Sequence, residues 1–147
     1  MLVFDANILI RAVLGNKVLS LIRQHAGQVE FWAPDAAFAE ARDHLPTILA
    51  ARGIAAAPAL ELLGLVSRVV QTLEAEAYSQ FEEIARARLK QRDEDDWPVL
   101  AAALSLVLLA GAEAGAPEAR KLYDQGRKAE RAGDVTRAFL FYSQAVA

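Results

Sequence analysis

LVFDANILI, residues 2–10, sets the reading of everything that follows it. Leu2, Val3 and Phe4 are an apolar, strand-like triplet, Asp5 interrupts it, and apolar residues resume at Ile8, Leu9 and Ile10. A strand that ends on a carboxylate and gives way to a helix is the opening of an α/β unit. In such a domain ligands bind in the crevice outside the carboxyl ends of parallel strands, which is where Asp5 would project. Asn7 stands two residues on, at the start of the helix, where an amide can cap backbone N–H groups or orient a carboxylate. Asp5 is equally placed to be a helix cap and nothing more, so other carboxylates have to decide between the two.

Working outward, the chain alternates. Ile8 to Leu14 and Lys17 to His25 read as two helical segments parted by Gly15 and Asn16, and Gly27 ends the second. VEFWA, residues 29–33, is the second strand, with Pro34 and Asp35 as stop and cap. Ala36 to Ala51 follows as a helix that carries Glu40 in its first turns and that Pro46 would kink or divide. Pro58 to Leu65 opens a further helix, and the β-branched patch of Val66, Val69 and Val70 within residues 65–73 predicts a third strand. Tyr78 to Leu89 is amphipathic, with Tyr78, Phe81, Ile84, Ala85 and Leu89 on one side and a basic last turn, as the helix dipole favours.

RDEDDWPVLAAAL, residues 92–104, is the second chemical landmark. Pro98 suits a first helical turn and Asp96 stands as its natural cap. Four consecutive acids, Asp93 to Asp96, repel one another. A helix N-terminus, a divalent cation or plain solvation would make the cluster tolerable. Set beside Asp5 and Glu40, the cluster looks less accidental. Oxygen donors without cysteine or a histidine pair suit Mg²⁺ or Mn²⁺ rather than zinc. The two histidines, His25 and His44, read as surface or core-edge residues.

Composition narrows the classes further. At 147 residues and 54% hydrophobic content the chain can bury one proper core with a small appendage, and it is not a disordered sequence. No cysteine excludes a disulfide framework and a thiolate nucleophile, which fits a reducing, cytoplasmic setting. The uncharged run from Trp97 to Ala112 is shorter than the roughly 20 residues a spanning helix needs, so a buried helix and no membrane are expected. A net charge of −3 gives no global pull toward nucleic acid. A polyanion would have to be held by metal or by local cations, for which Arg11, Arg42, Arg86, Arg88, Lys90 and Arg92 are candidates.

The three pieces VFDANILI, APDAAFAEA and RDEDDWPVLAAAL, in this order and at this spacing, resemble the PIN-domain nucleases, and especially their VapC-like toxin members. The resemblance covers residues 1–106. It implies an α/β fold, a PIN-like parallel sheet flanked by helices, and a metal-dependent endoribonuclease. It further implies that Asp5, Glu40 and Asp96 are the catalytic and metal-site acids, with Asp93 a second-rank ligand and Asn7 orienting. Mg²⁺ or Mn²⁺ would be the cofactor and RNA the substrate, with an antitoxin protein as a partner and a homo-oligomer as the assembly.

After Leu106 the chain departs from that pattern. VLLAGAEAGAPEARKLYDQGRKAERAGD stands where the family would place a fourth strand, a further acid and a last strand, so the sheet is expected to be incomplete. Glu113 falls near the missing acid, but no strand precedes it and it takes no role here. Leu122 to Ala147 instead resembles a single tetratricopeptide repeat, through Gly126, Ala129, Gly133, Asp134, Ala138, Tyr142 and Ala145. One such hairpin cannot bury its apolar face alone. The expected organisation is a PIN-like domain at residues 1–110 and a tetratricopeptide-like helical hairpin at 117–147. The expected function is the nuclease toxin, and the alternative is a catalytically weak or inactive binding module.

Overall fold

A computed structural model describes residues 1–91, 93–113, 117–131, 137 and 141. Three short strands, β1 (Leu2–Val3), β2 (Phe31–Pro34) and β3 (Val70–Leu73), form one parallel sheet in the order β1-β2-β3. The registers are Leu2 with Phe31 and Val3 with Trp32, then Phe31 with Val70 through Pro34 with Leu73. Parallel pairing requires a crossover between strands. The first is made by α1 (Ala6–Leu14) and α2 (Asn16–His25), the second by α3 (Asp35–Ala50) and α4 (Ala57–Val66). After β3 come α5 (Ala75–Tyr78), a 3₁₀ turn (Ser79–Phe81), α6 (Glu82–Leu89), a second 3₁₀ turn (Glu94–Asp96), α7 (Trp97–Glu113) and α8 (Pro117–Arg131). The fold is therefore α/β, a parallel sheet flanked by helices.

Each crossover helix forms for a reason visible in its buried stripe. α1 turns Ala6, Leu9 and Ala12 inward, three residues apart, and α3 turns in Ala37, Phe38, Ala41, Leu45 and Leu49. With Phe31, Ala33, Leu63, Val66 and Val70 these residues, Leu49 apart, make one apolar cluster, and the Phe4 ring stacks on Phe31 at 5.3 Å. Gly15 separates α1 from α2 in extended backbone. Gly53, just beyond α3, has a φ of 68°, a conformation that a side chain would strain.

Several expectations change in detail. Pro46 lies inside α3 without ending it. β3 begins only at Val70, because Val66 is buried as the last residue of α4 and the chain turns between them. The Tyr78–Leu89 stretch is two helices joined by a 3₁₀ turn, which rotates the face so that Ile84 is exposed. Trp97 to Ala112 is helical as expected; Ala101, Ala102, Ser105 and Leu106 are buried, but Leu109 is 52% exposed.

The chain divides into two compact units, Met1–Ala103 and Leu104–Ala147. The first contains the sheet, with β1 on its edge and Leu2 exposed. In the second, α8 buries Gly126 and Ala129 and half-buries Leu122 and Tyr123. No strand follows β3 among the described residues. Gly133, Asp134, Ala138, Phe139, Tyr142 and Ala145, on which the second arm of the expected hairpin rests, lie outside the described residues, as does Arg92.

Candidate active site

Beyond the carboxyl ends of β1 and β2 lies a shallow open cleft. Three segments line it: Asp5, Ala6 and Asn7 where β1 passes into α1; Ala36, Ala37 and Glu40 on the first turns of α3; and Asp95, Asp96, Pro98 and Val99 where the second 3₁₀ turn passes into α7. Positions 36, 37 and 40 share one face of α3 because a helix repeats every 3.6 residues. That spacing brings Glu40 alongside Ala36 and Ala37 on the cleft wall. Asp5, Glu40, Asp96 and Asn7, all singled out from the sequence, thus meet in one place.

Local bonds account for how the acids are held. Asp5 has extended backbone and its Oδ1 accepts from the Ile8 N–H at 2.7 Å, so it caps α1 and still faces the cleft. The two readings of Asp5 are compatible. Glu40 is exposed, with His44 Nε2 3.8 Å from its Oε1 one turn along α3. Asp93 does not line the cleft: its Oδ1 accepts from the Asp95 N–H at 3.1 Å and caps the 3₁₀ turn. Asp96, the cap anticipated for the following helix, directly precedes α7, and Asp93 caps the 3₁₀ turn before it. Asp95 takes a place on the cleft wall that the sequence reading gave it no separate reason to have. The signal for it is the pattern Asp93-x-Asp95, in which the first acid folds back on the second one's N–H and leaves Asp95 and Asp96 to face outward.

The electrostatics of the cleft are those of like charges held together. The Asp96 carboxyl is pushed above its ordinary pKa, first by partial desolvation and then by the negative charges of Asp93, Asp5 and Asp95. The residue as a whole stays exposed, so the effect is local to the carboxyl. Arg11, Arg42, Arg86, Arg88 and Lys90 do not line the cleft. Arg86 is engaged elsewhere, with its Nε 2.8 Å from Glu82 Oε1 and its guanidinium over the Trp97 ring at 5.1 Å.

The donor set suits a hard cation: four carboxylates and one amide, all oxygen donors on an open wall. Among the described residues no three histidine, aspartate or glutamate side chains stand close enough together to hold one ion as they are arranged. Mg²⁺ keeps several waters and binds through as few as one or two carboxylates, so the set still fits it.

Residues 3–109 match the family model described as PIN domain. No curated protein and no solved structure matches the chain. The matched span holds every acid of the cleft.

Proposed function

The chain belongs to the PIN-domain family, whose members are generally nucleases and typically use divalent metals, and from that premise we propose a metal-dependent endoribonuclease. The observation that carries the proposal is the convergence of Asp5, Glu40, Asp95 and Asp96, from three separate segments, on one cleft at the carboxyl end of a parallel sheet. When bound, Mg²⁺ or Mn²⁺ would supply a Lewis acid and offset the charge of an RNA phosphodiester during hydrolysis. Asp5, Glu40 and Asp96 would hold it, with Asp95 beside them and Asn7 orienting a neighbouring carboxylate. Asp93 acts through the turn it caps. The α1 cap fixes Asp5 against rotation, and the crowding that raises the Asp96 pKa is the repulsion a cation relieves.

The toxin role, an antitoxin partner, a homo-oligomer and a cytoplasmic setting belong to the same proposal. They rest on the likeness of the three motif pieces to the VapC-like members. Among the described residues no helix is long and apolar enough to cross a membrane. The segment 117–147, tetratricopeptide-like in its sequence, is the part we assign to assembly. One observation favours the alternative of an inactive binding module, namely the spacing of the acids, which brings no three together as ligands.

Cleavage of a mixed structured RNA pool by the purified chain, with Mg²⁺, with Mn²⁺ and with chelator, decides between the two. Asp5→Asn is the control, because asparagine still caps a helix but carries no charge. Metal-dependent cutting that vanishes in the control is expected. A folded chain that cuts nothing under any of these conditions would leave the binding module.

A further inference from the structure

Tyr78 lies outside the cleft, yet it touches what holds two of its walls. It is the last residue of α5 and one of the most deeply buried side chains, 2% exposed. Its hydroxyl donates to Asp35 Oδ1 at 2.5 Å, across 43 residues of sequence. Asp35 is the first residue of α3, the helix whose next turns present Ala36, Ala37 and Glu40 to the cleft. On another side, the Tyr78 ring packs against Trp97 at 5.8 Å between centroids, inclined by 53°. Trp97 is the first residue of α7 and follows Asp96 directly; Arg86 stacks over its ring. A single buried side chain thus joins the start of the Glu40 helix to the end of the Asp95–Asp96 turn.

A buried tyrosine normally finds a partner for its hydroxyl, and a leucine or phenylalanine would fill the same space without one. The chosen partner here is a carboxylate at the helix start, a charge-assisted bond that constrains direction as well as distance. We propose that Tyr78 is a positioning residue, which through Asp35 and Trp97 sets the separation between Glu40 and the Asp95–Asp96 turn and so tunes how the cleft takes up a divalent cation. The inference rests on the nuclease reading above.

The test uses the full chain with Tyr78→Phe, Asp35→Asn and the double variant. Tyr78→Phe keeps the ring on Trp97 and removes the hydroxyl, with its bond to Asp35 and its contact with the Ala36 backbone N–H. For each, free Mn²⁺ is titrated by electron paramagnetic resonance, RNA cleavage is followed against Mn²⁺ concentration, and the melting temperature establishes that the assayed protein is folded. Tyr78→Phe is expected to raise the Mn²⁺ midpoint by about tenfold, the low end for residues that support metal ligands, and Asp35→Asn, which keeps an oxygen acceptor but loses its charge, by less. The double variant should do no worse than Tyr78→Phe, since both changes act on the same bond. Asp35→Asn also covers the case in which Tyr78→Phe fails to fold. A wild-type chain that cuts RNA, beside single variants with unchanged Mn²⁺ midpoints, would overturn this inference alone. A wild-type chain that neither binds Mn²⁺ nor cuts would overturn the nuclease reading and this inference with it.

Discussion

Asp5 and Asp35 occupy matching places at the ends of two neighbouring parallel strands. Each follows an apolar run, each is half-buried, and each accepts a backbone N–H of the helix that follows, Ile8 at 2.7 Å and Ala36 at 2.8 Å respectively. Their fates diverge through what arrives from later in the chain. Asp35 receives the Tyr78 hydroxyl and becomes a fastener. Asp5 receives Asp95 and Asp96 across an open cleft and becomes part of a wall of like charge. An aspartate at a strand end is therefore structural or chemical according to whether the distant partner is a donor or another acid.

The comparison can be broken most severely at Asp5. Asp5→Asn should lower the rate of RNA cleavage by about 10²-fold, the scale for loss of one preorganised electrostatic group. Calorimetry of the same variant should show little change, since the cap survives. The converse holds for Asp35→Ala, which leaves a buried phenol without its acceptor and should cost about 1–3 kcal/mol in denaturant unfolding.

Two pH experiments sharpen the contrast with smaller effects. Burial, and then the bond to Asp35, hold the Tyr78 pKa well above its ordinary value. Its contribution to stability is thus fully present below the unfolded tyrosine pKa of about 10 and is lost as pH rises beyond it. Alkaline unfolding of the wild type should begin near there, and Tyr78→Phe should flatten that limb. Asp96 is raised in the same direction at the acidic end of the scale. Without added cation, stability should fall as pH climbs through the carboxylate range, because the unfolded chain releases this proton first. Asp96→Asn should remove part of that slope, a modest effect since the residue is exposed.

Much of this was legible in the sequence because it is local. The strand-to-helix switch at Asp5, the break at Gly15 and the buried stripe of α3 each depend on neighbours within a few positions. Asp5, Asn7, Glu40 and Asp96 were singled out and share the cleft. What stayed hidden depends on rotation or on distance. A helical period does not register a 3₁₀ step, so Ile84 was placed inside with Phe81 and Ala85. A run of valines does not show where a helix stops and a strand starts, so β3 was drawn too long. Nothing near Tyr78 announces Asp35, and nothing near Asp95 tells it from Asp93 except which N–H the earlier acid accepts.

The cleft takes its acids from residues 5, 40, 95 and 96, and each sheet pairing beneath it spans a whole crossover. Contacts so far apart in sequence form slowly, after the local helices. A chain still on its way to the native state has helices long before it has a cleft. On the proposed nuclease reading this order acts as a safeguard, because the ribosome-bound or half-folded chain carries the acids but not their convergence. Activity then reports complete folding, and a refolding time course should show helical signal recovered well ahead of cleavage.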